Sequence, residues 1–111
     1  MIADLLKRWG SPSWRWTHLP MGENRDPITG ARLKRMGVMP GWPDFIFAGR
    51  DSRMFFLELK RKGSGRVSDD QADVIAHLAV CGFAVLVTDS FDDAVATLKS
   101  LGILPSTIEV Q

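Results

Sequence analysis

The sequence predicts an α/β fold in which a mixed β-sheet is flanked by helices. Three observations carry this. The apolar runs "DFIFA" (44–48) and "MFFLELK" (54–60) are separated only by "GRDSR", the pattern of an antiparallel hairpin. Ser68 and Ser90 each open a stretch of helical period that closes on a glycine, Gly82 and Gly102. Between those helices lies "FAVLVTD", almost wholly apolar, which reads as a strand covered on both faces. Returning after a helix, it is expected parallel to "MFFLELK" through a right-handed crossover.

The remaining elements follow in order. "ADLLKRWG" has the form of the last turns of a helix stopped by Gly10. "SPSWRWTHLP" alternates, with Trp14, Trp16 and His18 on one face, so it predicts a strand. "MGENRDPITG" (21–30) reads as a mobile loop, and "ARLKRMG" (31–37) as one or two helical turns with a basic exposed face. "VMPGWP" is a rigid, extended lead into the hairpin, because proline restricts its predecessor. "RKGSGR" is a basic loop, and "ILPSTIEVQ" has no clear period.

The 111 residues fit one domain, 1–111, with a core of ordinary size. No apolar run approaches the ~20 residues that span a bilayer, and the start lacks the order of a signal peptide. Cys81 is the only cysteine, so an internal disulfide is excluded and an intracellular, reducing setting is expected. Its neighbours in "HLAVCGF" make it a small core residue rather than a nucleophile. The net charge of +1 conceals an asymmetry. Residues 1–66 carry 13 Lys/Arg against 6 Asp/Glu, whereas 67–111 carry 1 against 7. A basic half points to a polyanionic partner, or else to a solvated surface segregated by sequence alone.

The charges inside the apolar hairpin are the most informative feature. Alternation puts Phe56, Glu58 and Lys60 on one face, about 6–7 Å between successive members, and Phe55, Leu57 and Leu59 on the other. A carboxylate buried without partners is costly, so these charges either reach water or pair. Glu-x-Lys alone is explained by a solvated strand end. Asp44, however, lies as far before Asp51 as Glu58 lies after it, so a turn near Asp51 sets Asp44 opposite Glu58. Two carboxylates and an amine would then meet at one end of the sheet. Paired carboxylates suit a hard cation, and an amine beside them suits phosphodiester hydrolysis, where it orients water or stabilises developing charge. The structural alternative for Asp44 is a Pro-Asp turn cap.

"GWPD", then "LELK" after a hairpin, then "VSDDQ" opening a helix, together resemble the PD-(D/E)XK nuclease superfamily, and within it the virus-type replication-repair nuclease (VRR-nuclease) domain. The similarity extends upstream through "RLKRMGVMPGWPDFIF" and downstream through "CGFAVLVTDSFDDAVATLKSLGI", about ninety of the 111 residues. The resemblance implies a restriction-endonuclease-like core and a metal-dependent, structure-selective endonuclease acting on branched DNA (four-way junctions or flaps), in DNA repair. It implies Asp44 and Glu58 as ligands of Mg²⁺, or of Mn²⁺, with the Leu59 backbone carbonyl as a third. It implies Lys60 as the catalytic amine and Gln71 as a residue that positions water or substrate. Gln71 is also the fourth position of a capping box, and on residue pattern alone closing the helix start is the alternative role.

Arg32, Lys34 and Arg35 before the site, and Arg61, Lys62 and Arg66 after it, are expected to grip DNA phosphates. Trp14 and Trp16 either stack on exposed bases or pack in a core or dimer contact. His18 and His77 are expected to be packed or on the surface rather than ligands. A homodimer with two symmetric sites would suit a four-way junction. The pattern departs from the family in one respect. The glutamate that members usually carry in the N-terminal helix has no evident counterpart. Asp4 is the only acid there and out of evident register, Glu23 lies in the following loop, and a chain truncated at its start would account for the gap. The alternative function is therefore a catalytically weak or inactive DNA-binding module.

Overall fold

The computed structural model describes residues 1–20, 26–62 and 66–109. The elements run α1 (Ile2–Trp9), β1 (Trp14–His18), α2 (Pro27–Arg35), β2 (Phe45–Gly49), β3 (Met54–Leu59), α3 (Asp69–Val80), β4 (Ala84–Thr88) and α4 (Phe91–Ser100). The strands form one mixed sheet in the order β1-β2-β3-β4. β1, β2 and β3 are successively antiparallel, and β4 returns parallel to β3 as the crossover through α3 requires.

Alternation sorts the sheet's side chains. Phe45, Phe47, Phe55 and Leu57 face one way and join Ile2 and Leu6 of α1, Trp14 of β1, and Ala94, Val95 and Leu98 of α4 in the main core. Ile103 and Leu104, from the tail that showed no period, complete it at 0 and 2% exposure. On the opposite face, Phe56 and Leu78 are buried at 3% each, and the Phe56 ring meets those of Trp42 and Phe83. Both serine caps form: Ser68 accepts the Gln71 N–H and Ser90 accepts the Asp93 N–H.

The β2–β3 turn fixes the register on which the site depends. Gly49 N–H donates to the Arg53 carbonyl at 2.8 Å, and Asp51 and Ser52 have φ of 61° and 62°. The connection between Gly49 and Arg53 is three residues long, and its last two, Asp51 and Ser52, take the left-handed region. Glycine suits such positions and serine does not, since the left-handed region costs an L-residue about 1–2 kcal/mol. Ser52→Gly is expected to stabilise the protein by about 0.5–1 kcal/mol, after glycine's extra unfolded-state entropy is allowed for. The check is a raised urea midpoint at unchanged slope.

Three expectations are corrected here. Helix α2 starts at Pro27, inside the stretch 21–30 read as loop. Its cap is Asp26, which accepts the Thr29 N–H and hydroxyl at 2.9 and 2.8 Å, bonds that hold the carboxyl below the usual aspartate range. Proline at the first helical position completes a helix-start signal that reading Asp-Pro and Gly30 as turn residues obscured. Residues 21–25, including Glu23, lie outside the described residues.

Strand β4 is covered on both faces only in part. It is one edge of the sheet, and four of its five residues are half-buried, none fully. Its apolar run reflects partial cover by α3 and α4. Cys81, expected in the core, is exposed. The half-buried and buried positions of α3 are 71, 74, 75 and 78, and Cys81 follows at the helix end, beyond the sheet's cover. Its sulfur lies 3.5 Å from Nε2 of His77, itself exposed.

Candidate active site

The cleft at the α3 end of the β2–β3 hairpin gathers the charges that stood out in the sequence. Phe45 pairs with Leu57, so Asp44, one residue earlier, meets Glu58, one residue later. The two are tied by reciprocal bonds. Asp44 N–H donates to Glu58 Oε1 at 3.1 Å, and Leu59 N–H donates to Asp44 Oδ2 at 3.0 Å. From the other side, Leu19 N–H donates to the Asp44 carbonyl at 2.5 Å. Asp44 is thus held at the end of β2 by both neighbouring strands.

Lys60 follows β3 directly, its N–H bonded to the Thr88 carbonyl of the β4 end at 2.8 Å. Its Nζ lies 2.6 Å from Gln71 Oε1 and 3.2 Å from Glu58 Oε2. Gln71 Nε2 donates to the same Glu58 oxygen at 2.8 Å. Gln71 Oε1 also accepts the Ser68 N–H at 3.2 Å, so one amide closes the α3 capping box and braces the carboxylate and the ammonium. Gln71 thus closes the helix start and faces Glu58 and Lys60 in one rotamer.

Glu58 is 6% exposed. Burial, and next the Asp44 carboxylate, push its pKa above the ordinary glutamate range, while the bond and charge of Lys60 pull the other way. The cleft around it has a volume of about 320 Å³ and includes Asp44, Glu58 and Asp70 against Lys60 and Arg66. Three carboxylates oppose two cations where a polyanion would have to dock.

That donor set fits a hard divalent ion. Two carboxylates stand together at a strand end, and the Leu59 carbonyl lies on the strand edge that its N–H presents to Asp44, because both groups of a strand residue point to the same side. Mg²⁺ needs no more than one or two carboxylates, since it keeps several waters. Among the described residues, no group of three His, Cys, Asp or Glu side chains is close enough to hold a metal ion. Asp4 pairs with the chain's amino terminus at 3.9 Å and is 76% exposed. Helix α1 turns Ile2 and Leu6, not Asp4, toward the core.

The six cations expected on DNA are all exposed. Arg66 lines the cleft itself. Arg32, Lys34 and Arg35 sit together in the last turn of α2. Lys62 instead shares a cavity with Asp89 and Asp92 at the start of α4, which weakens its claim on phosphate. Trp14 is 7% exposed, with Arg53 4.7 Å above its ring, so it belongs to the core rather than to a stacking surface. Trp16 is half-buried against Phe45. His18 lies against Phe45 at 4.9 Å between ring centres.

Trp42 and Asp70 also line the cleft and were not singled out in the sequence, and Ser68, read there as a helix cap, lines it too. A signal for Trp42 existed: in an extended segment it lies two residues from Asp44, on the same side. Gly41 sits beside it with φ +93°, where a Cβ would collide with the Asp70 carbonyl. This close approach locks the strand lead onto the first turn of α3. Gly41→Ala is expected to cost about 3 kcal/mol, from the left-handed backbone and the overpacking together, and to lower the thermal midpoint accordingly.

The sequence matches no family model. It matches no curated protein. Among solved structures, one named "VRR_NUC domain protein" is similar, with a TM-score of 0.60 and 26% identity over 77% of this chain. This chain spans 65% of that structure's length. The mixed sheet with its flanking helices is an α/β fold of the restriction-endonuclease-like, VRR_NUC-like kind.

Proposed function

We propose that this protein is a metal-dependent DNA nuclease that hydrolyses phosphodiester bonds in branched DNA. The observation that carries the proposal is the closed set of bonds joining Asp44, Glu58, Lys60 and Gln71 within a nuclease-type fold. In this reading Asp44, Glu58 and the Leu59 carbonyl would hold Mg²⁺ or Mn²⁺. Such an ion, when bound, supplies positive charge for the phosphoryl oxygens and acidifies water.

The rest is the work of the chain itself. The Lys60 ammonium, aimed by Gln71 and Glu58, stabilises negative charge developing on the phosphoryl group. Gln71 keeps Glu58 and Lys60 in fixed relation and ties both to the α3 cap. Arg66 in the cleft and the α2 cations hold the flanking phosphates, which fixes register without reading sequence. Selectivity would then come from DNA shape, and two copies acting as a homodimer would suit a four-way junction.

A second reading, a weak or inactive DNA-binding module, is favoured by the outward-facing Asp4 and by the engagement of both Glu58 oxygens within the protein. Labelled four-way junctions, flaps and plain duplex, incubated with Mg²⁺, Mn²⁺ or EDTA, separate the two. Cleavage of branched substrates that EDTA stops is expected. Binding without cleavage even in Mn²⁺ supports the second reading and sinks the first.

A further inference from the structure

Beyond phosphate contacts, the geometry points to Trp42 as a stacking platform for one unpaired nucleobase beside the scissile phosphate. The inference rests on the nuclease reading above and deepens it by naming what holds the substrate's base. Trp42 is half-buried and lines the cleft two residues before Asp44. Its ring is backed by Phe56, with centroids 6.3 Å apart and planes at 52°, so the ring is supported from behind while the residue borders the cleft.

The backbone on either side is fixed. Gly41 abuts the Asp70 carbonyl, and Pro43 is fully buried. A rigid aromatic so placed loses little entropy on meeting a base, and every base has a face to offer it. Its neighbours in the cleft, Lys60 and Arg66, are cations for the phosphates on either side of that nucleotide. Of the other three tryptophans, Trp9 is exposed at the end of α1 with Arg8 over its ring and does not line the cleft, Trp14 is in the core, and Trp16 packs on Phe45. Trp42 is the tryptophan that borders the acidic pair. A base must be unpaired to stack there, which gives the site a physical reason to prefer flaps over plain duplex.

The test uses flap DNA in Ca²⁺, with an abasic residue walked along the unpaired strand. Wild type is expected to lose roughly 5–100-fold in affinity when the abasic residue reaches one position, the range one base–aromatic stack supports. Trp42→Leu, which keeps an apolar contact with Phe56 but has no aromatic face, is expected to lose a similar factor on intact DNA and nothing further at that position. Trp42→Phe should retain most of the affinity and the positional effect. 2-Aminopurine at the same position should be quenched by wild type and not by the leucine variant. If wild type and Trp42→Leu suffer equally from the abasic residue at every position, the stacking inference is overturned while the nuclease reading stands. Failure of wild type to bind any branched DNA overturns both.

Discussion

Asp44→Asn is expected to abolish cleavage while leaving the metal-free protein as stable as wild type, or more so. The asparagine carbonyl can accept the Leu59 N–H that Asp44 Oδ2 now accepts at 3.0 Å, so the local backbone is retained. What disappears is one of two carboxylates facing each other across a strand pair, an arrangement that destabilises a sheet by up to about 1 kcal/mol. The sign with pH follows from Glu58. Its pKa is raised on folding by burial first and by Asp44 second, so its proton favours the folded state. That contribution is complete below the ordinary glutamate value and is lost as pH rises through the raised one. The gain from Asp44→Asn should therefore be larger at pH 7 than near pH 4. In millimolar Mn²⁺ the order is expected to reverse, because under the proposed metal-site reading wild type would gain stability from a bound cation and the variant would not. Thermal melts across pH, with and without Mn²⁺, measure both effects. A variant that still cuts DNA, or wild type unmoved by Mn²⁺, would show that the acidic pair is not a metal site.

Lys60→Ala should reduce cleavage about 10³-fold, at the upper end of what one positioned charge donor contributes to a transition state. DNA affinity should fall far less, since Arg66 and the α2 cations remain. The substitution also carries a stability cost with a distinctive pH profile. Lys60 and Glu58 are 15 and 8% exposed, and removing one partner of a buried pair leaves the other charge uncompensated, at about 3 kcal/mol. With the lysine gone, Glu58 takes up a proton more readily. The stability deficit should then shrink as pH falls through the raised Glu58 values, and be smallest at the ordinary glutamate range and below. Lys60→Met, which keeps the aliphatic stem, separates lost packing from lost charge. Single-turnover cleavage with junction substrates and urea titrations at pH 4 and pH 7 provide the measurements. Unchanged cleavage by Lys60→Ala would remove it from the chemistry.

The site was legible because strand pairing is arithmetic. Once the turn was placed near Asp51, the alternation of side chains forced Asp44, Glu58 and Lys60 to one end of one face. The Ser68–Gln71 cap similarly brought Gln71 to where α3 begins. Features that depend on which elements cover which were not legible. β4 reads as a buried strand because its apolar content does not reveal that one edge is left unpaired. Cys81 sits among apolar neighbours, yet lies past the last turn that the sheet covers. Trp42 was hidden for another reason. Between Gly41 and Pro43 it looks like turn punctuation, which masked the one signal it carried, a two-residue spacing from Asp44 in an extended lead. Ile103 and Leu104 lacked any period because they fill the core from an irregular segment.

Under the proposed function, the residues that would grip DNA and those that would carry the chemistry differ in the free energy of local opening. The hairpin carrying Asp44, Glu58 and Lys60 lies at the centre of the sheet, where opening approaches global unfolding. Helix α2, with Arg32, Lys34 and Arg35 in its last turn, buries none of its described residues and is closed at its start by the exposed Asp26–Thr29 bonds. A helix of nine residues without a packed face is marginal by its own propensity. Its amides are the ones that should exchange with solvent well before those of β2 and β3. Phosphates meeting three cations there would do the ordering that the core does not. The handle would then take shape on the DNA, and the blade would already be set.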